Sequence, residues 1–352
     1  MRKHLFISFC FCLIIGIEHS LVFAENIWIK NPASPVLDIG LSGSWDDDGV
    51  ANPCVIKDGD VYKMWYAGHE NSLRIGYASS PDGITWTKSP QNPVLDLGMV
   101  GSWEDEEITE PTIIKDGGIY KMWYTGIHNE IPSIGHATSP DGINWIKYTG
   151  NPVIVSGASG SWEEGGVGEA CVVKDGGTYK MWYSSYTHIS TINEAIGYAI
   201  SSDGINWTKY ESNPVLGSGA TGKWDEADVD NPTVIKQDSI YHMWYEGVND
   251  GDDVCRIGYA TSVDGLQWEK SLDNPVLDAG SSGNWDENGV AHPSVLIDEN
   301  SYKMWYTSSD GVHDRIGLAS LYVVHIETVT VDNPGNTGCF ASDGIGHFLK
   351  LS

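Results

Sequence analysis

The sequence is poor in positive charge. Lysine and arginine together number 20 against 48 aspartates and glutamates, which gives a formal net charge of −28 at pH 7. After residue 24 the only arginines are Arg74, Arg256 and Arg315. Because such a chain repels polyanions and anionic lipid surfaces, we expect neither nucleic acid nor a membrane as its partner.

Long apolar runs are also scarce. The only one, residues 5–17, follows the basic pair Arg2-Lys3 and precedes Val22-Phe23-Ala24. This order is typical of a secretory signal peptide, and the run is too short for a convincing membrane span. We predict a signal peptide over residues 1–24 and a secreted or periplasmic protein.

Cysteine is sparse, with six residues in the chain, two of them in the predicted signal peptide. Cys54 and Cys171 occupy the same position in different copies of a repeat, which favours small buried thiols over a disulfide framework. No His-x-x-His or Cys-x-x-Cys spacing indicates a zinc site.

Glycine, tryptophan and tyrosine are abundant, and they follow an internal repeat of roughly 60 residues. Each repeat begins with Asn-Pro-Val, or Ser-Pro-Val in the first copy, and continues with Gly-x-Trp-acid, Tyr-x-Met-Trp-Tyr and Ile-Gly; the first four copies end in Asp-Gly-x-x-Trp. All 15 tryptophans fall into three sets of five, which begin at Trp28, Trp45 and Trp65. Five repeats are therefore present.

Each repeat holds four candidate strands. In repeat 1 they are residues 50–57, 61–67, 74–79 and 85–88. Asp58-Gly59 and Asp82-Gly83 are hairpin signals between them. Four short antiparallel strands repeated radially form a propeller blade. The predicted fold is all-β, a five-bladed β-propeller of four-stranded antiparallel blades.

The two chain ends complement each other. Repeat 5 ends near Ser320 without an Asp-Gly-x-x-Trp strand, and residues 28–37 align without gaps on residues 86–95. We predict that this N-terminal segment is the outer strand that closes the fifth blade. The propeller would then occupy residues 25–325, leaving a tail of unknown role over residues 326–352.

Positions that differ between repeats are where function can reside. The innermost strands begin with five aligned polar residues, Asn52, Glu110, Glu169, Asn231 and His292. Small residues follow two positions later, as expected for strands that converge on an axis. We expect these five side chains to form a polar ring at one mouth of the channel. Burial and proximity would separate the pKa values of the two carboxyls, so that one holds a proton near neutral pH.

With these residues, over roughly residues 26–320, the sequence resembles the five-bladed propeller glycoside hydrolases: family 43 arabinanases and xylosidases, and family 32 invertases. Glu169-Ala-Cys171 is similar to the Glu-Cys motif around the acid of family 32. The resemblance implies that Glu169 is the general acid and that Glu110 tunes its pKa. It also implies that His292 is the axial histidine, which in some members is tied to a bound cation.

Asn52 departs from the pattern of these families, which place a basic or nucleophilic aspartate at this position. An amide cannot usefully accept a proton at neutral pH. Asp48, in an acidic loop of the same mouth together with Asp46 and Asp47, is one substitute. Alternatively Glu110 and Glu169 form the working pair, and their separation decides between inversion and retention.

Further substrate contacts are predicted in loops of the same mouth, at His128 and His188, and at Arg74. Ordinary loop variation and salt bridges to acidic loops are the alternatives for these residues. Asn52, Asn231 and His292 would position sugar, water or a cation. No cofactor is required, although calcium or another cation could bind at the channel axis, with His292 as a ligand through water.

The predicted function is that of an exported glycoside hydrolase-like protein that acts on or binds poly- or oligosaccharides. Two alternatives stay open. The chain could be a carbohydrate-binding or scaffold propeller that has lost its catalytic base, which Asn52 favours, or a protein-interaction propeller. Whether the protein is an enzyme is not decided by the sequence.

Overall fold

The structure, a computed structural model, describes residues 26–186, 194–249, 251–252, 254–299, 301–323, 340–342 and 348–350. All regular secondary structure in these ranges is β-strand. No helix in the described part of the chain is long and apolar enough to cross a membrane. The predicted signal peptide and His188 lie outside the described residues, as does most of the predicted tail.

Each of the first four repeats contributes three long strands and one short outer strand. Repeat 1 contains β2 (Gly49–Asp58), β3 (Val61–His69), β4 (Arg74–Ser80) and β5 (Thr87–Lys88). Repeat 2 contains β6 (Glu107–Asp116), β7 (Ile119–His128), β8 (Ile131–Ser139) and β9 (Ile146–Lys147). Repeat 3 contains β10 (Gly166–Asp175), β11 (Thr178–Tyr186), β12 (Ile196–Ser201) and β13 (Thr208–Lys209). Repeat 4 contains β14 (Asp228–Gln237), β15 (Ile240–Val248), β16 (Arg256–Ser262) and β17 (Glu269–Lys270).

Repeat 5 has three long strands of its own. They are β18 (Val290–Asp298), β19 (Ser301–Ser309) and β20 (Asp314–Val323). The N-terminal strand is β1 (Asn26–Lys30), and a separate hairpin is formed by β21 (Phe340–Ser342) and β22 (Phe348–Lys350).

The strands of each repeat pair antiparallel in chain order. Repeats 2, 3 and 4 form separate four-stranded sheets. Repeats 1 and 5 are joined into one eight-stranded sheet, in which β1 pairs with β20 and a single parallel bridge links Gly49 to Asp314. The prediction of an all-β fold built from four-stranded antiparallel units is confirmed.

The N-terminal segment occupies the place of an outer strand in repeat 5. Its contacts are equivalent to those of the outer strands in the other four repeats. Trp28 packs edge-to-face on Trp244 with ring centroids 6.1 Å apart, and Lys30 forms a 2.6 Å ion pair with buried Asp286. The equivalent ion pairs elsewhere are Lys88–Asp46, Lys147–Glu104, Lys209–Glu163 and Lys270–Asp225. The acids of the Gly-x-Trp-acid motifs are therefore structural, as their recurrence indicates.

A tryptophan–glycine hydrogen bond links successive repeats. The indole of Trp65 is fully buried and donates from Nε1 to the Gly142 carbonyl of repeat 2, at 2.7 Å. The other bonds of this kind are Trp123–Gly204, Trp182–Gly265 and Trp305–Gly83. The last of these joins repeat 5 to repeat 1. Trp244 is the exception, because its buried Nε1 has no hydrogen-bond partner among the described residues.

A matched pair of variants measures how much the hydrogen bond between repeats contributes to the free energy of unfolding. Trp65→Phe loses packing area and the bond to Gly142, whereas Trp244→Phe loses similar packing and an unpaired donor. We expect the free energy of unfolding to fall by about 1 kcal/mol more in Trp65→Phe. Chemical denaturation of the two variants measures this difference. Equal losses would show that the hydrogen bond contributes nothing.

Candidate functional site

The five ring residues share an uncommon backbone conformation. Their φ angles are all positive, between 49° and 52°. The pairing of the first and second strands shifts register at the same place, as between Ala51 and Cys54 in repeat 1. A β-bulge of this kind takes residues out of the ladder and redirects their side chains. The repeat thus builds one bulge per inner strand, at the position where the sequence varies.

The five bulges face one another. A single pocket of about 60 Å³ is lined by the ring residues, by the residue after each, and by the small residues two positions later, Cys54, Thr112, Cys171, Thr233 and Ser294. The structure therefore brings the predicted ring together. The pocket is polar, and a space of this size admits ordered water or an ion beside the ring side chains.

The two ring carboxylates each bond to the inner strand of the following repeat. Oε2 of Glu110 accepts from the backbone N–H of Glu169, and Oε2 of Glu169 accepts from that of Asn231, both at 3.1 Å. Oε1 of Glu169 accepts from the Tyr186 hydroxyl at 2.8 Å. Both carboxylates therefore help to hold neighbouring repeats together while they line the pocket.

Glu110, Glu169 and His292 converge on one point. Each offers a ligand atom, and these three atoms lie within 4.8 Å of one another. Nδ1 of His292 is buried and has no hydrogen-bond partner in the described part of the chain. Two carboxylate oxygens and an imidazole nitrogen form a donor set that can hold a divalent cation.

The surroundings of the Glu110 and Glu169 carboxyls favour their protonated forms. Burial, and next the negative charge of Glu169, raise the pKa of Glu110 well above its ordinary value. Burial also raises the pKa of Glu169, but the nearby His292 opposes that rise, as do bonds from Ser184 and Tyr186. Burial therefore favours the protonated form of both carboxyls, and because each charge acts on the other they titrate as a pair.

Two further carboxylates lie beside the ring, in repeat 4. Asp230 precedes ring residue Asn231 and lies opposite Glu246 on the second strand. Glu246 is buried, and its Oε2 accepts from the side-chain amide of Asn231 and from the backbone N–H of His292, at 3.1 and 3.2 Å. Burial, followed by the charge of Glu246, raises the pKa of Asp230 well above its ordinary value.

The sequence interpretation did not place this pair in the site. Neither Glu246 nor Asp230 is among the residues predicted from the sequence to bind substrate. A signal was present, because the residues aligned with Asp230 are Ala51, Thr109, Gly168 and Ala291, none of which carries a charge. One carboxylate in a column of small residues marks repeat 4 as different.

The acidic loop of repeat 1 does not reach the ring pocket. Asp48 lines a second pocket of about 430 Å³ at the same mouth. Asp46 is bound to Lys88 and Tyr66, and Asp47 accepts from the Gly43 backbone. Asp48 is therefore the one residue of this loop whose side chain faces a space large enough for a sugar.

The other predicted substrate contacts lie away from the ring pocket. His128 bonds through Nδ1 to Asp105 at 2.7 Å. Nε of Arg74 lies 3.7 Å from Asp96. The remaining arginines pair with acidic loops, Arg256 with Asp252 and Asp278, and Arg315 with Asp38 and Asp310. The arginines therefore form salt bridges to acidic loops, which was the alternative to a role in substrate contact.

Small side chains, two of them cysteines, line the pocket two positions after the ring residues. Cys54 and Cys171 are free thiols, and each accepts a backbone N–H from the first strand of the following repeat, from Ile113 and Val234 respectively. Burial raises the pKa of the Cys54 thiol to about 12 and that of Cys171 to about 11. They are packing residues rather than nucleophiles.

Comparisons with known proteins agree with this architecture. Residues 112–272 match the family described as glycosyl hydrolases family 32 N-terminal domain. An uncharacterised protein of Mycobacterium tuberculosis is 26% identical over 279 residues, which cover 75% of this chain and 89% of that protein. A 1,2-beta-oligomannan phosphorylase of Thermoanaerobacter sp. is 29% identical over 142 residues, 38% of this chain and 47% of that protein.

Solved structures give the same result. A structure reported for the family 130 mannoside phosphorylases, described as containing hydrolases of beta-1,2 mannosidic linkages in Candida mannan, aligns with a TM-score of 0.69 at 18% identity. The alignment covers 92% of this chain and 98% of that one. The predicted resemblance to propeller glycoside hydrolases is confirmed, and the chain has their propeller-type fold.

The raised pKa of Asp230, a half-buried acid in repeat 4, predicts that its removal stabilises the protein. An acid whose pKa is raised by folding ionises first in the unfolded chain, so its contribution to stability is present at low pH and is lost as pH rises. Asp230→Asn should therefore raise the free energy of unfolding by about 1 kcal/mol or more at pH 8, and by much less at pH 5. Denaturation at the two pH values measures this change.

Asp116 provides the control. Hydrogen bonds from Lys174 and Tyr179 lower the pKa of this acid, so Asp116→Asn should destabilise the protein at pH 8. If Asp230→Asn destabilises the protein at pH 8, folding does not raise the pKa of Asp230 and the prediction is wrong.

Proposed function

We propose that this chain is an exported propeller that hydrolyses an oligosaccharide at the channel mouth. The observation that carries the proposal is the convergence of Glu110, Glu169 and His292 within 4.8 Å on a pocket that all five repeats line. Most glycoside hydrolases use two carboxyl groups, one protonated and one ionised, on either side of the bond that is cleaved. The likeness to propeller glycoside hydrolases supports the same class.

We propose in addition that the propeller has five blades and is closed by its N-terminal strand. Three contacts support this arrangement: β1 pairs with β20, Lys30 binds Asp286, and Trp305 donates to Gly83 of repeat 1. Export by a signal peptide over residues 1–24 is part of the proposal and is supported by the composition of that segment.

The names of the relatives suggest β-1,2-linked mannosides as the first substrates to test. Two chemistries are then open, since relatives include a phosphorylase and hydrolases. Phosphorolysis needs a cationic site for inorganic phosphate. The described residues around the ring offer one histidine among acids, and Arg256 and Arg315 are paired in outer loops. We therefore favour water as the acceptor.

The roles within the carboxyl pair follow from their surroundings. The resemblance assigns the general acid to Glu169. Burial and the charge of Glu169 raise the pKa of Glu110, so we propose Glu110 as the protonated member of the pair. Their oxygens lie within 4.8 Å, which is closer to the separation of retaining than of inverting enzymes. In this proposal Glu110 protonates the leaving group and Glu169 is the nucleophile, replacing the aspartate that is absent at Asn52.

A cation is an alternative occupant of the same point. Glu110, Glu169 and His292 would hold it, and it would take the place of the shared proton. Catalysis in the form proposed here requires no cofactor, so added chelator should leave turnover unchanged. Asn52 and Asn231 would then orient sugar or water.

A glycan-binding propeller without turnover is the second candidate. It is favoured by Asn52 and by the structural use of the ring carboxylates. Glu110, Glu169 and Glu246 each accept a backbone N–H of the following repeat, so interactions between repeats alone would retain them.

Turnover can be tested on β-1,2-mannobiose, aryl glycosides, arabinan, xylan and fructan, with and without inorganic phosphate. We expect free sugars in the absence of phosphate, and a fall in kcat of about a thousandfold in Glu169→Gln. Glu211→Gln, at an exposed position, is the matched control. Formation of sugar phosphate alone would contradict hydrolysis. Binding without any turnover would support the second candidate.

Leaving-group dependence separates the two carboxyls. A dinitrophenyl glycoside departs without protonation, so a variant that lacks only the general acid retains activity on it. We expect Glu110→Gln to retain activity on this substrate within about tenfold and to lose activity on an alkyl glycoside, whereas Glu169→Gln loses both. The reverse pattern would return the acid role to Glu169.

A further inference from the structure

A pocket of about 280 Å³ lies at the outer edge of repeats 2 and 3, away from the ring. Its lining comes from residues that follow β9, among them Tyr148 and Gly150, and from Asn206 and Trp207, which precede β13. These two strands are the outermost of their sheets, whereas the ring residues lie on the innermost. Three inter-strand spacings therefore separate the two sites, a distance of roughly 14 Å or more.

Tyr148 is more exposed than its counterpart in repeat 3. The aligned residue Tyr210 packs edge-to-face on Tyr198, with ring centroids 6.4 Å apart. Repeat 2 has His136 in place of Tyr198, and this imidazole is buried against Trp123. Tyr148 makes no ring contact within the described residues, and 39% of its surface is exposed. Its aromatic ring is therefore available to a ligand.

The glycine at position 150 leaves room for the Tyr148 ring. A Cβ atom added at Gly150 would lie 2.6 to 2.9 Å from Cε1, Cζ and Oη of Tyr148, so a larger residue would push the ring away. The aligned residues of the other repeats all carry a side chain: Ala33, Gln91, Ser212 and Asp273. Tyrosine and glycine therefore occur together at these two positions only in repeat 2, where both line the pocket.

Two polar groups of this pocket have unused capacity for hydrogen bonds. The Tyr148 hydroxyl has no hydrogen-bond partner among the described residues. Nδ2 of Asn206 donates to Oδ2 of Asp203 at 2.7 Å, which orients the amide and leaves its Oδ1 as an acceptor. A hydroxyl that both donates and accepts, in one pocket with an oriented carbonyl oxygen, can bind the hydroxyl groups of a sugar.

The lining of this pocket has no charged side chain, in a chain whose net charge is −28. Its other side chains are aromatic or aliphatic, as in Trp207, Ile205 and Val153. An ionic ligand would find no counterion there, whereas a neutral ligand rich in hydroxyl groups needs none. The volume is close to the lower end of the range for small-molecule sites. These properties suit one or two neutral sugar residues.

We propose that this pocket is a second carbohydrate-binding site, which holds a neutral sugar residue through Tyr148 and Asn206. The site does not depend on hydrolysis at the ring, because it lies on different strands and shares no residue with the ring pocket. A polysaccharide bound there would keep the protein close to further sugar units of the same polymer and raise their effective concentration at the ring.

Methyl signals beside the pocket report binding at this site. In protein with isotope-labelled isoleucine and valine methyl groups, NMR titration with β-1,2-mannobiose, xylobiose, cellobiose and lactose should shift the signals of Val153 and Ile205 with at least one disaccharide. The signals of Val94 and Ile143, the aligned residues of the preceding repeats, should not move. Galacturonate is the charged comparison. No shift with any neutral disaccharide would overturn the proposal, as would an equal response to galacturonate.

A matched pair of variants tests the proposed contacts. Asn206→Ala and Asn144→Ala each remove an exposed amide that bonds the aspartate of its own turn, at 2.7 and 2.8 Å, so their Tm values should be equal. The disaccharide Kd should rise about tenfold in Asn206→Ala and Tyr148→Ala and stay unchanged in Asn144→Ala. Gly150→Ala displaces the tyrosine ring and should also weaken binding. Equal Kd values in folded Asn206→Ala and Asn144→Ala proteins would overturn the site.

Failure of the second site and failure of the proposed function can be told apart. Tyr148→Ala should leave turnover of an aryl glycoside unchanged, because this small substrate does not extend to the outer strands. If an aryl glycoside is cleaved but no disaccharide shifts Val153 or Ile205, the second site is wrong and the hydrolase stands. If these signals shift and the shift is lost in Tyr148→Ala, but no glycoside is cleaved, the second site stands and the hydrolase is wrong.

Discussion

The bulge in the first strand of each repeat is the constraint on which the rest of the structure depends. It places one residue per repeat at positive φ and takes its backbone N–H out of the ladder. A freed N–H close to the axis must find an acceptor. For Asn52, Glu169, Asn231 and His292 the acceptor comes from the adjacent repeat, so the same bond that satisfies the backbone also holds neighbouring repeats together. The side chain at the bulge is meanwhile turned toward the axis, where all five meet.

This arrangement concentrates acids where water is scarce. Glu110, Glu169, Asp230 and Glu246 lie at or beside one small pocket, while lysines are committed to ion pairs with the acids of the outer loops. Buried carboxylates at close range cannot all be ionised. One or more of these carboxyls therefore holds a proton or shares a cation. The capacity to transfer a proton then comes from the proximity of several carboxyls rather than from any one residue.

Much of this was predictable because the repeat supplies its own alignment. The strand predicted over residues 50–57 is observed as Gly49–Asp58, and the five ring residues were identified from their register alone. What the alignment could not give is which neighbours each side chain bonds. The outer strand predicted over residues 85–88 is only Thr87–Lys88, because the Asp82 carboxylate holds the preceding turn through the N–H groups of Ile84 and Thr85.

The pairing of β1 with β20 bears on how the protein is made. Ser34 accepts a hydrogen bond from the backbone of Leu318, 284 residues later in the chain. During synthesis β1 emerges long before β20 and must wait for this partner. Repeats 1 to 4 complete their sheets from local sequence, but the long-range contact pays its loop-closure entropy only at the end. Until β20 emerges, the edge of β1 and the Trp28 side chain stay uncovered, so the newly made chain has its greatest need of a chaperone in that interval.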